Sequence, residues 1–301
     1  MADRPQPSVG LLGLGNMGLV VAGRLLAAGP VVAYDPDAER CRLAGELGVE
    51  VAASTAEVGR RASTVVLSLP APAISWDAVQ VLLTSWAGEG EQGTILETST
   101  VTPDDVHRCH AACREVGASF IDAAILSGVT PVATGTSLLL IGGDHAAVTA
   151  ARPVLDAICP HQRRMGPPGS GMAAKVINNA VAHAVYVVLA EAVAMGRATG
   201  VPLGTLVDLL GDPEGGLLRP LNHRIAQRLA VRDFGGGMST ASARKDSVLA
   251  LEVARANGVP LFAIQAAHTV YELAMTAGMD RQDYAVVATL WDHWRGNESE
   301  T

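Results

Sequence analysis

The stretch "VGLLGLGNMGLVVAGRLLAAGPVVAYD", Val9 to Asp35, constrains the fold more than any other part of the chain. An apolar run of strand length, Val9 to Leu14, carries Gly13-x-Gly15-x-x-Gly18, and a helical pattern from Met17 to Ala28 follows at once. A second apolar run, Val31 to Tyr34, ends on Asp35, 22 residues beyond Gly13. In that order the glycines permit a tight turn, close approach of a pyrophosphate to the backbone, and tight packing of helix on strand. The helix start adds free N–H groups and the positive end of a dipole. Asp35 stands where a carboxylate accepts from ribose hydroxyls. A dinucleotide site is therefore expected on Gly13, Leu14, Gly15, Asn16, Met17, Gly18 and Asp35. The Asp35 carboxylate repels a 2′-phosphate, and Arg40 and Arg42 follow a helical turn or more later. The expected cofactor is NAD, with NADP as the alternative.

The alternation continues. Thr64 to Leu69 and Gly93 to Glu97 read as strands, with helices at Ala38 to Leu47, Thr55 to Arg61 and Ala73 to Leu83; further strands are expected at Ser119 to Ile121 and Ser137 to Ile141. Strands alternating with helices imply a doubly wound, mostly parallel sheet, an α/β Rossmann domain over residues 1–166. After "MGPPGSG" no strand pattern appears. Ser170 is expected to cap a long helix running to Ala198, followed by helices at Leu203 to Leu210, Leu217 to Leu229, Ala243 to Asn257, Leu261 to Ala277 and Tyr284 to Trp294. Residues 167–301 thus read as an all-helical domain, with a frayed "GNESET" end.

Composition narrows the function classes. A formal charge of -8 argues against a nucleic-acid partner. Cys41, Cys109, Cys113 and Cys159 lack metal-ligand spacing, so no metal is expected and the cysteines read as reduced thiols of a cytoplasmic protein. "MADRPQPS" is polar, unlike a signal peptide. The longest apolar run, Met172 to Gly196, includes Lys175, Asn178, Asn179, His183 and Glu191, too many polar groups for a membrane span.

The chain has 22 lysines and arginines, and only Lys175 and Lys245 are lysines. Lys175 lies in "GSGMAAKVINNAV", where helical spacing puts Gly171, Lys175, Asn178 and Asn179 on one face. Arginine serves as well as lysine for reaching solvent, but it cannot exchange a proton near neutral pH. A lysine kept in an apolar helix therefore points to proton transfer.

These segments resemble the β-hydroxyacid dehydrogenases, the family of 3-hydroxyisobutyrate dehydrogenase, tartronate semialdehyde reductase and L-threonate dehydrogenase. "GLGNMG" is similar to the family's opening fingerprint, and "LSLP" (with Leu69 and Pro70) and "TSTVTP" (with Thr100) to its later cofactor loops. "GSGMAAKVINN" matches its catalytic pattern GxGxxxKxxxN, and "ARKDSVLALEVARANGVPLF" and "GMDRQDYAVV" resemble its late motifs. The resemblance implies hydride transfer between NAD(P) and a small β-hydroxyacid, with Lys175 as general acid/base and Asn179 holding the lysine or the substrate oxygen. It also implies that Lys245 lies against the cofactor and lowers the Lys175 pKa, and that the chain forms a homodimer or tetramer.

One motif departs from the family. Where its substrate strand reads DAPVSGG, this chain has "DAAILSG", Asp122 to Gly128. Leu126 aligns with the carboxylate-binding serine, so substrate contacts are expected at Leu126, Ser127 and Gly128 with a bulkier or less polar substrate. "DAAIL" also resembles imine reductases, which keeps an imine or carbonyl reductase open as the alternative. A non-catalytic dinucleotide-binding regulator would not need Lys175, and a short-chain dehydrogenase would need a Tyr-x-x-x-Lys that does not occur.

Overall fold

A computed structural model of the chain describes residues 9–87 and 93–294. The polar opening segment "MADRPQPS" and the "GNESET" end lie outside the described residues. The contacts divide the chain into two units, Met1–Ala180 and Val181–Thr301.

The first unit holds one eight-stranded sheet in the order β3-β2-β1-β4-β5-β6-β7-β8. Its strands are β1 (Val9–Leu12), β2 (Val31–Tyr34), β3 (Glu50–Val51), β4 (Thr64–Leu67), β5 (Thr94–Glu97), β6 (Ser119–Ile125), β7 (Leu139–Gly142) and β8 (Gln162–Gly166). All pairings are parallel except β6 with β7. Crossovers run through α1 (Asn16–Leu26), α2 (Ala38–Glu46), α3 (Thr55–Arg61), α4 (Pro72–Ala87) and α5 (Pro103–Glu115), then the short α6 (Val129–Ala133), α7 (His145–Ala150) and α8 (Arg152–Ile158). Side-chain alternation gives the sheet two cores. Leu12, Val65 and Leu67 pack on one face with Trp86, while Leu11, Val66 and Leu96 pack on the other with Leu25 and Leu155. Such continuous apolar strands are what a sheet covered on both faces requires.

β1 stops at Leu12 because Gly13 turns the chain at φ 91°. The unexpected β3 and β8 are the two outermost strands. They need only one ladder partner, and β8, "QRRMG", is too polar to be recognised by hydrophobic pattern.

The long helix α9 (Ser170–Thr199) begins in the first unit, and α10 (Leu203–Gly211), α11 (Thr240–Ala256), α12 (Phe262–Thr276) and α13 (Leu290–Trp294) belong to the second. By length and composition α9 is apolar enough to cross a membrane. Its Glu191 is buried because the carboxylate caps α12, accepting from the N–H groups of Phe262 (2.6 Å), Ala263 (2.8 Å) and Ile264 (3.1 Å). The helix expected over Leu217 to Leu229 is replaced by a π-helical turn, Pro220–Ile225, and a 3₁₀ turn, Leu229–Val231. Pro220 lacks the N–H for a regular helix. The arginines of that segment turn instead to the buried Asp283, with Arg224 Nε at 3.1 Å and Arg228 Nε at 3.5 Å. Similarly, Tyr284–Thr289 is a 3₁₀ segment ahead of α13.

Candidate active site

A cavity of about 600 Å³ opens in the first unit at the carboxyl ends of β1, β2, β4, β5 and β6. β1 lies between β2 and β4, so the crevice falls where the winding of the chain reverses. That is the place where open α/β sheets receive ligands.

The expected glycine turn forms its floor. Gly13, Gly15, Asn16, Met17 and Gly18 all line the cavity. A Cβ on Gly13 would lie 2.2 Å from the Ser68 carbonyl oxygen, and one on Gly18 would lie 2.1 Å from that of Gly13. Above Gly15, by contrast, nothing lies within 4 Å, and no side chain caps α1. The first N–H groups of α1 therefore face open space, which fits a diphosphate. Leu14 departs from the expectation. Its side chain is wholly buried in the core, and its contribution is its N–H, given to Asp35 Oδ2 at 2.7 Å. The other oxygen, Asp35 Oδ1, accepts from Asp37 N at 2.8 Å, so the carboxylate is fixed with its remaining lone pairs free for ribose. Arg40 also lines the cavity, because the first turn of α2 brings it back beside Asp35. Arg42 stays with Glu39 and Glu46.

The two later loops meet as a unit. Leu69 and Pro70 follow β4, Thr100 follows β5, and all three line the cavity. Leu69 N donates to Ser99 Oγ at 2.7 Å, Ser99 N to Glu97 Oε1 at 2.9 Å, and Thr98 Oγ1 to the Leu67 carbonyl at 2.6 Å. Sequence reasoning passed over Ser68, Ser99 and Ile74, which share this wall, and Glu97 beneath it. The signal for Glu97 was a charge closing an otherwise apolar strand. Burial pushes its carboxyl up to about 7, against the pull of the Ser99 N–H and of the neighbouring Ser99 and Ser75 hydroxyls.

On the opposite wall stand Ser127, Lys175 and Asn179. Lys175 Nζ donates to the Ile125 carbonyl at 2.6 Å, and burial alone lowers its pKa below the ordinary lysine value. Asn179 follows one helical turn later, while Asn178 is exposed. The Ser127 Oγ is buried at the cavity and has no hydrogen-bond partner among the described residues. Leu126 does not line the cavity; it packs against the hydrophobic core and gives its N–H to the Leu138 carbonyl. The strand's alternation past Ile125 sends Leu126 and Ser127 to opposite sides, so the serine one place later occupies the wall. Gly128 is exposed at the start of α6 and is not a lining residue. Lys245 lies in the second unit, on α11, where it is exposed and paired with Asp246 at 3.0 Å.

Comparison with known proteins agrees with this geometry. Residues 8–166 match the family profile described as the NAD binding domain of 6-phosphogluconate dehydrogenase. Residues 169–291 match the profile described as NAD-binding of NADP-dependent 3-hydroxyisobutyrate dehydrogenase. The NAD-dependent L-serine dehydrogenase of Pseudomonas aeruginosa is 30% identical over 96% of this chain and 99% of its own length. The chain belongs to the β-hydroxyacid dehydrogenase family. Like other members it is an NAD(P)-dependent dehydrogenase acting on CH–OH groups. A solved structure of a β-hydroxyacid dehydrogenase, the Mycobacterium tuberculosis 3-hydroxyisobutyrate dehydrogenase with L-serine, is 27% identical, with TM-score 0.66 over 94% of this chain and 99% of that one. An imine reductase from Pseudomonas sp. shares the fold at TM-score 0.83 with 22% identity, over 95% of this chain and 99% of that one.

Proposed function

We propose that the chain interconverts a small β-hydroxyacid, of the L-serine or 3-hydroxyisobutyrate kind, and its semialdehyde or ketoacid, with Lys175 as general acid/base. The observation that carries this reading is one cavity lined both by the dinucleotide turn and by a half-buried lysine whose pKa burial lowers. Bound NAD(P) supplies the hydride acceptor or donor. In oxidation, the uncharged Lys175 Nζ takes the hydroxyl proton as hydride leaves the carbon. In reduction, the ammonium returns that proton to the carbonyl oxygen. The Ile125 carbonyl holds Nζ in place, and Asn179, on the same face of α9, orients the reacting oxygen. The unpartnered Ser127 Oγ is the group available to bind the substrate carboxylate.

Lys175→Arg tests the assignment. The variant is expected to fold and to bind NAD, while kcat falls by at least about a hundredfold, the scale of general acid–base catalysis. The wild-type rise of kcat/KM for oxidation with pH should flatten. A variant keeping more than about a tenth of the activity would remove Lys175 from the mechanism. A panel of hydroxyacids, aldehydes and imines, read by NAD(P)H absorbance, identifies the substrate.

The second unit leaves large apolar side chains in water, among them Val181 (57% exposed), Tyr186 (73%), Leu209 (60%) and Phe262 (76%). Apolar surface of that extent belongs against protein. The chain is accordingly read as a homodimer or tetramer, and a monomer by light scattering at micromolar concentration would overturn this.

A further inference from the structure

Asp122 is a carboxylate with no exposed surface, placed mid-strand in β6 where both faces of the sheet are covered. Burial raises its pKa, and hydrogen bonds from backbone N–H groups around the start of α9, at Gly169, Gly171 and Met172, oppose the rise. Asp122 Oδ1 accepts from Gly169 N at 2.9 Å, and Oδ2 accepts from Met172 N at 2.9 Å. The residue expected to cap α9, Ser170, does not do so; its hydroxyl turns back to the Pro167 carbonyl at 2.7 Å. The cap comes instead from a strand 50 residues earlier.

The same contact explains the second glycine of "GSGMAAK". A Cβ on Gly171 would lie 2.6 Å from the Leu140 carbonyl oxygen and 2.8 Å from Asp122 Oδ2. On the other side, a Cβ on Gly142 of β7 would lie 2.5 Å from Asp122 Oδ1. The first turn of α9 is thus pressed onto β6 and β7, with the carboxylate between them. Three residues further along β6, the Ile125 carbonyl receives Lys175 Nζ. Three residues along α9 from Met172 stands Lys175 itself. One strand therefore holds the helix at its start and the lysine at its tip, the two anchors roughly 10 Å apart along β6.

We infer that Asp122 is the positioning residue for Lys175: by capping α9 from β6 it sets where Nζ stands in the cavity. The inference rests on the proposed role of Lys175 in proton transfer. Asp122 lines no part of the cavity and acts only through the helix. A carboxylate offers acceptors to both N–H groups, whereas an amide offers its NH₂ to one of them, donor against donor. Asp122→Asn should therefore shift the start of α9 while keeping size and shape.

The test uses the scarcity of lysines. With only Lys175 and Lys245 in the chain, competitive acetylation across pH, followed by peptide mass spectrometry, titrates Lys175 without reference to activity. Lys245, exposed and distant in sequence, is the internal standard. In Asp122→Asn the Lys175 titration is expected to move up toward the ordinary lysine value as the amine is released from its seat. At the same time kcat should fall roughly 10- to 100-fold with KM and NAD affinity little changed, the scale of misplacing a reacting group by about 1 Å. If Asp122→Asn does not fold, Gly171→Ala crowds the same contact without removing the charge and should shift the same titration. A Lys175 titration and kcat that stay at wild-type values, whatever happens to stability, would overturn the inference. Should Lys175→Arg prove active, the proton-transfer reading fails, but the labelling shift still reports whether Asp122 positions the lysine.

Discussion

Replacing Glu97 by glutamine should remove a pH dependence of stability that the wild-type chain carries. The side chain closes β5 with no exposed surface; Oε1 accepts from Ser99 N, while Oε2 has no partner among the described residues. Asp105 adds repulsion, and Cys109, itself pushed up to about 12, lies close by as a neutral thiol. Burial moves the carboxyl from 4.5 to about 7. Because the folded value lies above the unfolded one, the folded chain keeps a proton that the unfolded chain has released. The stabilisation is fully present below pH 4.5 and is lost as pH rises through about 7. At about 1.4 kcal/mol per unit, the loss amounts to about 3 kcal/mol. Glutamine keeps the acceptor for Ser99 N and cannot ionise. Urea unfolding followed by tryptophan fluorescence between pH 4.5 and 8 gives the difference between wild type and Glu97→Gln, in which other titrations cancel. Glu97→Gln should gain on the wild type by about 3 kcal/mol across that interval and be the more stable protein at pH 8. A difference that stays flat with pH would show that Glu97 is not held neutral by burial.

Other perturbations follow from the site and from the second unit. Asp35→Ala frees the Leu14 and Asp37 N–H groups and removes one of the two carboxylates, Asp35 and Asp37, that line the cavity beside Arg40, so KM for NAD should rise and discrimination against NADP should relax, read as kcat/KM with each cofactor. Wild-type kcat/KM higher with NADP would refute the electrostatic argument. Ser127→Ala should raise KM for a hydroxyacid with little loss of stability, whereas Leu126→Ser places a hydroxyl against the core and should destabilise by about 1–3 kcal/mol without improving turnover. Improved turnover in Leu126→Ser would restore Leu126 to the substrate wall. Asp283→Ala strands Arg224 and Arg228, 12% and 23% exposed, without their shared carboxylate. About 3–5 kcal/mol of stability should be lost, and a change below about 1 kcal/mol by chemical denaturation would contradict that.

What the sequence determined by itself is local. The strand–glycine–helix–strand order, the Asp35 position and the spacing of Lys175 and Asn179 on one helix are set by neighbours a few residues apart, where steric limits and helical period leave few choices. The apolar strands of a sheet covered on both faces are legible for the same reason. The tertiary structure decided what depends on partners far along the chain: which of Leu126 and Ser127 meets the cavity, and that Ser170 yields the capping of α9 to Asp122. Glu97 and Glu191 announced themselves only as charges in apolar surroundings, Asp122 as the first residue of "DAAILSG", and Asp283 as one of three charges in "GMDRQDYAVV". A buried carboxylate must find donors, but the sequence does not say where they are; Glu191 finds three of them 71 to 73 residues away. Packing brings such groups together only after the chain has closed on itself, so their partners are a property of the fold and of no single segment.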